Sequence, residues 1–337
     1  MTPASVLEVR DLRVRFDVPG GALPAVDGVD LTLRKGEVLA LVGESGSGKS
    51  ALSMSLVGLN RGPRTHISGE AVFGGRDLVA ASERELRGVR GKEIAVVFQD
   101  ALAALNPLHR AGAQVSEMIR AHRDVPRGQA ARRAVELFGE VGIAGPERAA
   151  RAYPHQLSGG MRQRVMIAMG LANDPALLIA DEPTTALDVT IQAQVLAVLK
   201  RVQRDHGTSV LLITHDLGVV AEVADRVAVM YAGRIVEQGL REEVLFHPQH
   251  PYTMGLLGSV PPIDGPVVRR LPAIAGSPLT GVDRSPGCAF APRCPFVHDA
   301  CSQRPVLRRR HGGDGHLDAC ALPGPARAAA RSRGGSA

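Results

Sequence analysis

Residues Gly43-Glu44-Ser45-Gly46-Ser47-Gly48-Lys49-Ser50 fill the pattern G-x-x-x-x-G-K-[ST]. They follow the apolar run Val38 to Val42 and precede a helix-like run that begins Ala51-Leu52-Ser53-Met54. In that setting the glycines let backbone N–H groups close around phosphate, and the start of the helix favours negative charge. Lys49 is then placed to reach β- and γ-phosphates, and Ser50 to ligate Mg²⁺. A chance Gly/Ser turn would not fill every position between a strand and a helix. A second string, Leu177-Leu178-Ile179-Ala180, ends in the adjacent carboxylates Asp181 and Glu182. Asp181 suits the Mg²⁺ shell, and Glu182 suits polarisation of a water that attacks a γ-phosphate. A strand ending in two acids is common by itself; together with a phosphate loop it points to nucleotide hydrolysis.

Many ATPases and GTPases share those two features, so Leu157-Ser158-Gly159-Gly160-Met161, ahead of the helix-like run Arg162 to Ala172, discriminates among them. Ser158 would suit an N-cap in any case, and a capped helix start is also an anion site. The string resembles the signature of ABC ATPases. That resemblance implies that Ser158, Gly159 and Gly160 contact the γ-phosphate of ATP held by the opposite subunit. It also gives meaning to residues that would say little alone. Gln99, after the strand-like Ile94 to Phe98, corresponds to a loop glutamine that senses Mg²⁺ and contacts a membrane subunit. His215, after Val210 to Thr214, corresponds to a switch histidine that bonds the γ-phosphate and orients the attacking water. Ala186-Leu187-Asp188 matches a dimer-contact loop, and Phe16 is the candidate to stack on adenine, although an inward-facing strand Phe explains it equally well.

These residues need a layered frame. Val6 to Phe16 and Val26 to Leu33 alternate as an antiparallel β layer would, with a turn at Gly20-Gly21. Val38 to Val42, Ile94 to Phe98, Ala176 to Ala180 and Val210 to Thr214 are short apolar runs separated by helical or loop sequence, which implies a parallel sheet. Ala, Arg and Glu-rich sequence from Ala111 to Ala152, broken at Pro126 and Pro146, predicts an inserted helical subdomain spanning about residues 100–172. Val227 to Val236 reads as a hairpin around Ala232-Gly233. The expected fold is therefore an α/β P-loop ATPase domain of the ABC type over residues 1–246, with a mixed sheet core, an antiparallel β layer and the helical subdomain. After His247 the composition shifts to Pro, Gly and Cys, with Pro261-Pro262, which sets off a C-terminal extension over 247–322. Residues 323–337 read as a disordered tail.

The resemblance is closest to the ATP-binding subunits of oligopeptide and dipeptide importers and covers nearly the whole chain. It rests on Phe98-Gln99-Asp100 with Leu105-Asn106-Pro107, on Leu157 to Ala168, on Asp181 to Gln194, and on His250-Pro251-Tyr252-Thr253. Met161, where Gln is more usual, is typical of one of the two ATPase subunits of these importers. Ala101 to Ala104 departs from the family, which more often has a Pro, Met and polar residues there. The resemblance implies ATP and Mg²⁺ as ligands, two transmembrane permease subunits, and an extracytoplasmic peptide-binding protein acting through them. It also implies a peripheral place at the cytoplasmic face of the inner membrane. One motif set per chain requires a second ATP-binding subunit, with a heterodimer preferred over a homodimer. Cys288, Cys294, Cys301 and Cys320 all lie in the extension. Their spacing matches neither zinc ribbons nor ferredoxin runs, and chemistry alone leaves metal binding and free thiols both open. The resemblance implies a [4Fe–4S] cluster on these four, with zinc or free thiols as the alternatives.

The bulk composition limits the rival readings. The 337 residues are 45% hydrophobic, 22% charged and only 3% aromatic, so the core is built from Leu, Val, Ile and Ala. No run reaches the ~18 apolar residues of a membrane span, and the N-terminus has no signal-peptide pattern. The net charge of +6 gathers partly in Arg308-Arg309-Arg310 and Arg327 to Arg333. Without interleaved aromatics it reads as a solvated tail rather than a nucleic-acid surface. A soluble ABC ATPase acting on nucleic acid or ribosomes, and an importer of nickel or another small solute, are the alternatives carried forward. An exporter subunit is disfavoured because exporters often fuse membrane helices to the cassette.

Overall fold

The computed structural model describes residues 4–185, 187–260, 273–279, 286–309 and 315–334. Ala186, Pro261-Pro262 and Arg310 therefore lie outside the described residues.

The chain opens with two long strands, β1 (Ser5–Val18) and β2 (Gly21–Arg34), then the buried strand β3 (Val38–Val42) and helix α1 (Lys49–Leu56). Next come β4 (Thr65–Phe73), β5 (Arg76–Asp77), α2 (Glu83–Val89) and β6 (Ile94–Val97). Five helices follow: α3 (Ala101–Ala104), α4 (Ala111–His122), α5 (Arg127–Glu140), α6 (Pro146–Arg151) and α7 (Gly159–Leu171). They occupy the stretch expected to be a helical insertion. β7 (Leu177–Asp181), α8 (Val189–His206), β8 (Ser209–Thr214) and α9 (Leu217–Val223) lead to the hairpin β9 (Arg226–Tyr231) and β10 (Arg234–Leu240). The remainder carries α10 (Arg241–Phe246), α11 (Pro251–Gly258), β11 (Arg308–Arg309), β12 (Leu317–Asp318) and α12 (Gly324–Gly334).

The chain divides into two compact units, Met1–Glu8 with Thr32–Val38 and Val72–Ile213, and Val9–Leu31 with Leu39–Ala71 and Thr214–Ala337. In the first, β6, β7 and β8 pair in parallel, with Val97 opposite Ala180 and Ala180 opposite Leu212. Every residue of β7 and β8 is buried, which is why both read as continuous apolar runs rather than alternating ones. α2 starts at a capping box in which Ser82 and Glu85 satisfy each other's backbone. α8 ends where Gly207 takes a left-handed conformation (φ 65°).

In the second unit β3 pairs in parallel with β9, and β9 antiparallel with β10. Arg234 stands opposite Tyr231, so the hairpin turns on Ala232 and Gly233 alone, both at positive φ as such a two-residue turn requires. Tyr231, Tyr252 and Phe290 stack on one another with ring centroids 4.6 to 5.4 Å apart and close the core formed by Ala40, Val42, Val229 and Val236.

Two buried carboxylates tie the C-terminal segments to β10. Glu237 accepts from the backbone N–H groups of Gln249 (2.7 Å) and His250 (2.9 Å) and lies 2.7 Å from His316 Nε2. Asp318, opposite Glu237 on the neighbouring strand, is paired with Arg327 at 2.8 Å. The stretch expected to be a disordered, solvated tail thus begins as α12, because the Arg327 guanidinium, 3% exposed, finds a fully buried carboxylate and the Cys320 and Leu322 carbonyls. Replacing Arg327 by Met should leave Asp318 buried without its cation and destabilise this unit by about 3 kcal/mol. The pair Asp318→Asn/Arg327→Met should recover most of that loss. Thermal melting of the three proteins measures both effects, and an unchanged melting temperature for Arg327→Met would show that the tail holds nothing.

Candidate functional site

The phosphate-loop pattern is a real loop between β3 and α1, in the second unit. Gly43 (φ 155°) and Gly48 (φ 106°) are the positions where only glycine fits. A Cβ on Gly43 would overlap the Met230 carbonyl oxygen, and one on Gly48 the Ala25 carbonyl oxygen. Gly48 is also the cap of α1, and no side chain caps that helix. The buried Lys49 folds back over the loop, donating to the carbonyls of Gly43 (2.7 Å) and Glu44 (3.0 Å), with Ser47 Oγ at 3.5 Å. Ser45, Gly46 and Ser50 remain exposed. A helix start without a side-chain cap beside an ammonium group fits a polyphosphate in chemistry and in charge. Glu44 is held by residues far along the chain: its backbone N–H donates to Tyr252 Oη (2.9 Å), and its carboxylate receives Arg293. Phe16 is half-buried on β1, and His215 is exposed after β8, both in this unit.

The first unit holds a separate cluster. Asp181 is buried at the end of β7, and Glu182, the next residue, has a left-handed backbone (φ 48°) while its N–H still donates to Ile213 O at 2.8 Å. One oxygen of Glu182 accepts from Gln99 Nε2 and from Thr185 Oγ1, each at 2.9 Å. Gln99 and Glu182 meet because each lies two residues beyond the paired Val97 and Ala180 of adjacent strands. In the same unit Ser158 caps α7, accepting from Met161 N at 3.3 Å, and Asp188 caps α8, accepting from Ile191 N at 2.9 Å. Gly159 and Gly160 lie against Leu187 and Ile191, and a Cβ on Gly160 would strike Ile191. The structure thus brings Ser158, Gly159 and Gly160 beside the Asp188 turn, and Gln99 beside Glu182. Thr185, Tyr252 and Arg293 complete these surroundings and were not singled out as site residues by pattern, although Tyr252 lies in one of the strings that carry the family resemblance.

Comparison with known proteins gives the family and the fold. The "ABC transporter" family model matches residues 26–185, and "Oligopeptide/dipeptide transporter, C-terminal region" matches 236–301. The oligopeptide transport ATP-binding protein OppD of Bacillus subtilis is 51% identical over 293 residues, spanning 87% of this chain and 82% of that protein. The chain belongs to the ATP-binding subunits of oligopeptide and dipeptide ABC transporters. Within that family, dipeptide transport ATP-binding protein DppD of B. subtilis is 50% identical over 88% of this chain and 89% of its own length. OppD of Salmonella typhimurium is 45% identical over 95% of both. A solved dimeric ATP-binding cassette in a post-hydrolysis state with ADP and Pi matches 70% of this chain and 98% of itself, with a TM-score of 0.63 and 27% identity. The fold is that of an ABC ATPase, and its family hydrolyses ATP. Among the described residues no helix is long and apolar enough to cross a membrane.

The family's C-terminal region includes three of the four cysteines. Cys288, Cys294, Cys301 and Cys320 line one small cavity together with His250 and His298. Among the described residues no three His, Cys, Asp or Glu side chains stand close enough to share one metal ion. Burial raises the pKa of Cys288 and Cys320 and pushes Cys294 up to about 11. Burial also pushes His250 down to about 4, and its Nδ1 accepts from Tyr252 N at 3.0 Å. Unfolding exposes His250, which then takes up a proton below its ordinary pKa of 6.5. Stability should therefore decline as pH falls from 6.5 toward 4, by up to about 1.4 kcal/mol per pH unit from this group. His250→Asn, which keeps a cap for α11, should flatten that slope in melting curves taken across the range; an unaltered slope would assign the acid sensitivity to other groups.

Proposed function

We propose that this chain is the ATP-hydrolysing subunit that energises import of oligopeptides or dipeptides, working peripherally at the cytoplasmic face of the inner membrane. The observation that carries the reading is the union, in one chain, of a filled ABC motif set with the oligopeptide/dipeptide transporter C-terminal region. Lys49 and the loop amides from Gly43 to Ser50 hold the β- and γ-phosphates of ATP, and Phe16 stacks on adenine. Ser50, Gln99 and Asp181 hold Mg²⁺, which neutralises phosphate charge when bound. Glu182 and His215 act as catalytic residues that position and polarise the attacking water. Ser158, Gly159 and Gly160 grip the γ-phosphate of ATP on the facing subunit, with Asp188 at the contact between the two.

The bond from Gln99 to Glu182 supports a link between a membrane subunit and the water-activating carboxylate. Leu102 and Leu108, 52% and 80% exposed shortly after Gln99, offer apolar side chains to such a partner. The assembly comprises a second ATP-binding subunit, preferably a different chain, two permeases and an extracytoplasmic peptide-binding protein, with no nucleic acid. The four cysteines hold a [4Fe–4S] cluster of structural role; their common cavity supports this, and zinc or free thiols are the other outcomes of metal analysis.

Glu182→Gln should retain ATP binding, lower turnover by about 100-fold or more, and run as an ATP-dependent dimer in size exclusion with its partner subunit. Undiminished turnover would remove Glu182 from the chemistry. Anaerobic purification should yield four iron and four sulfide per chain by the composition of the proposed cluster. Zinc alone, or no metal, would overturn the cluster while leaving the ATP site as proposed.

A further inference from the structure

Glu44 puts a carboxylate into a loop built to hold anions. It occupies a free position of G-x-x-x-x-G-K-[ST], so phosphate binding does not ask for it, and an uncompensated charge there would oppose a polyphosphate. The structure compensates it from the far end of the chain. Arg293 forks onto both carboxylate oxygens, Nη1 to Oε2 at 2.6 Å and Nη2 to Oε1 at 3.0 Å. The arginine side chain is 4% exposed and the glutamate 24%, so the pair is largely shielded from water.

The fork is itself fixed. Arg293 Nε donates to Ala275 O at 2.9 Å, Nη2 also reaches Ile274 O at 3.4 Å, and Nη1 lies 3.4 Å from Tyr231 Oη. Its guanidinium carbon stands 5.8 Å from the Tyr231 ring centroid. The backbone of Glu44 is gripped as well, through its N–H to Tyr252 Oη at 2.9 Å. That hydroxyl stays neutral, because burial raises the Tyr252 pKa above its ordinary value. Both halves of one loop residue are thus held by residues beyond 230.

We propose that Arg293 is a positioning residue of the nucleotide site: it neutralises Glu44 and, with Tyr252, fixes the phosphate loop so that affinity for ATP depends on the cysteine-bearing C-terminal segment. The inference rests on the reading of Gly43 to Ser50 as the ATP phosphate site. Arg293 closes the short turn Ala291–Arg293 directly before Cys294, so a displacement of that turn carries the fork with it. A Glu44 carboxylate released from Arg293 competes with phosphate for the Lys49 ammonium, which already lies on the Glu44 carbonyl.

The test is titration of the full chain with a fluorescent ATP analogue and Mg²⁺, alongside ATPase kinetics with the partner subunit. Arg293→Met should raise Kd and KM by about ten-fold or more with kcat changed less than about two-fold. Glu44→Gln/Arg293→Met should return Kd to near the wild-type value, because the charge that Arg293 neutralises is gone. Arg293→Lys, a point charge without the fork, should fall between. Should the single Met variant not fold, the double and Lys variants decide by the same readings. A Kd for Arg293→Met within about two-fold of wild type, or a double variant as weak as the single one, would overturn the inference. Lys49→Ala separates the two readings: binding that survives Lys49→Ala defeats the phosphate site itself, whereas binding lost there but kept in Arg293→Met defeats only the clamp.

Discussion

The phosphate loop has no room for a side chain at Gly43 and Gly48, and much of the second unit depends on that tightness. The two carbonyls that exclude a Cβ belong to Met230, near the end of β9, and to Ala25 on β2. The loop can therefore take its anion-facing conformation only once the β9–β10 hairpin and β2 are in place. Backbone bonds from Gly233 N to Ser47 O at 2.7 Å and from Asp27 N to Gly233 O at 2.8 Å join the hairpin turn to both. The rings of Tyr231, Tyr252 and Phe290 then anchor the hairpin to the C-terminal segments, so the apolar core that stabilises the extension also shapes the loop.

Charge completes what packing begins. Burial alone would raise the pKa of Asp27, yet Arg234, Arg304 and Arg13 lower it overall. Glu237 and Asp318 are buried with several partners each. Such pairs are not superior to a well-packed apolar core in stability, but they are unforgiving of misplacement. Because Glu237 stands opposite Asp318 in the β10–β12 ladder, a slip of one residue would strip both carboxylates of their partners. The same logic applies to Glu44 and Arg293, where the misplaced charge would stand in the phosphate loop.

The parts of this arrangement that were legible in the sequence are those with local signatures. Strands such as Val38–Val42 and Ser209–Thr214 follow from short apolar runs, and the β9–β10 hairpin from its turn residues. The meeting of Gln99 with Glu182 follows from two adjacent parallel strands once their register is known. Contacts between distant residues leave no periodic trace: Arg293 and Glu44 are 249 positions apart, and Arg327 sits in Ala- and Arg-rich sequence that resembles a tail. The one available signal was chemical rather than periodic, an acid at an unconstrained position of an anion-binding loop.

Glu182 joins strain to chemistry in the first unit. Its φ of 48° is a conformation that glycine adopts freely and a glutamate adopts at a cost of roughly 1 kcal/mol or more. The surroundings over-determine it: the backbone N–H is tied to Ile213 O, and one carboxylate oxygen is shared by Gln99 and Thr185. Glycine would relieve the strain and lose the carboxylate, so the presence of Glu at this position favours a role for the side chain over comfort of the backbone. The same geometry explains why Gln99 is suited to communicate. A loop that withdraws its amide from Glu182 removes a donor from a carboxylate whose backbone is already strained, and so alters the group proposed to polarise water without moving the strand that carries it.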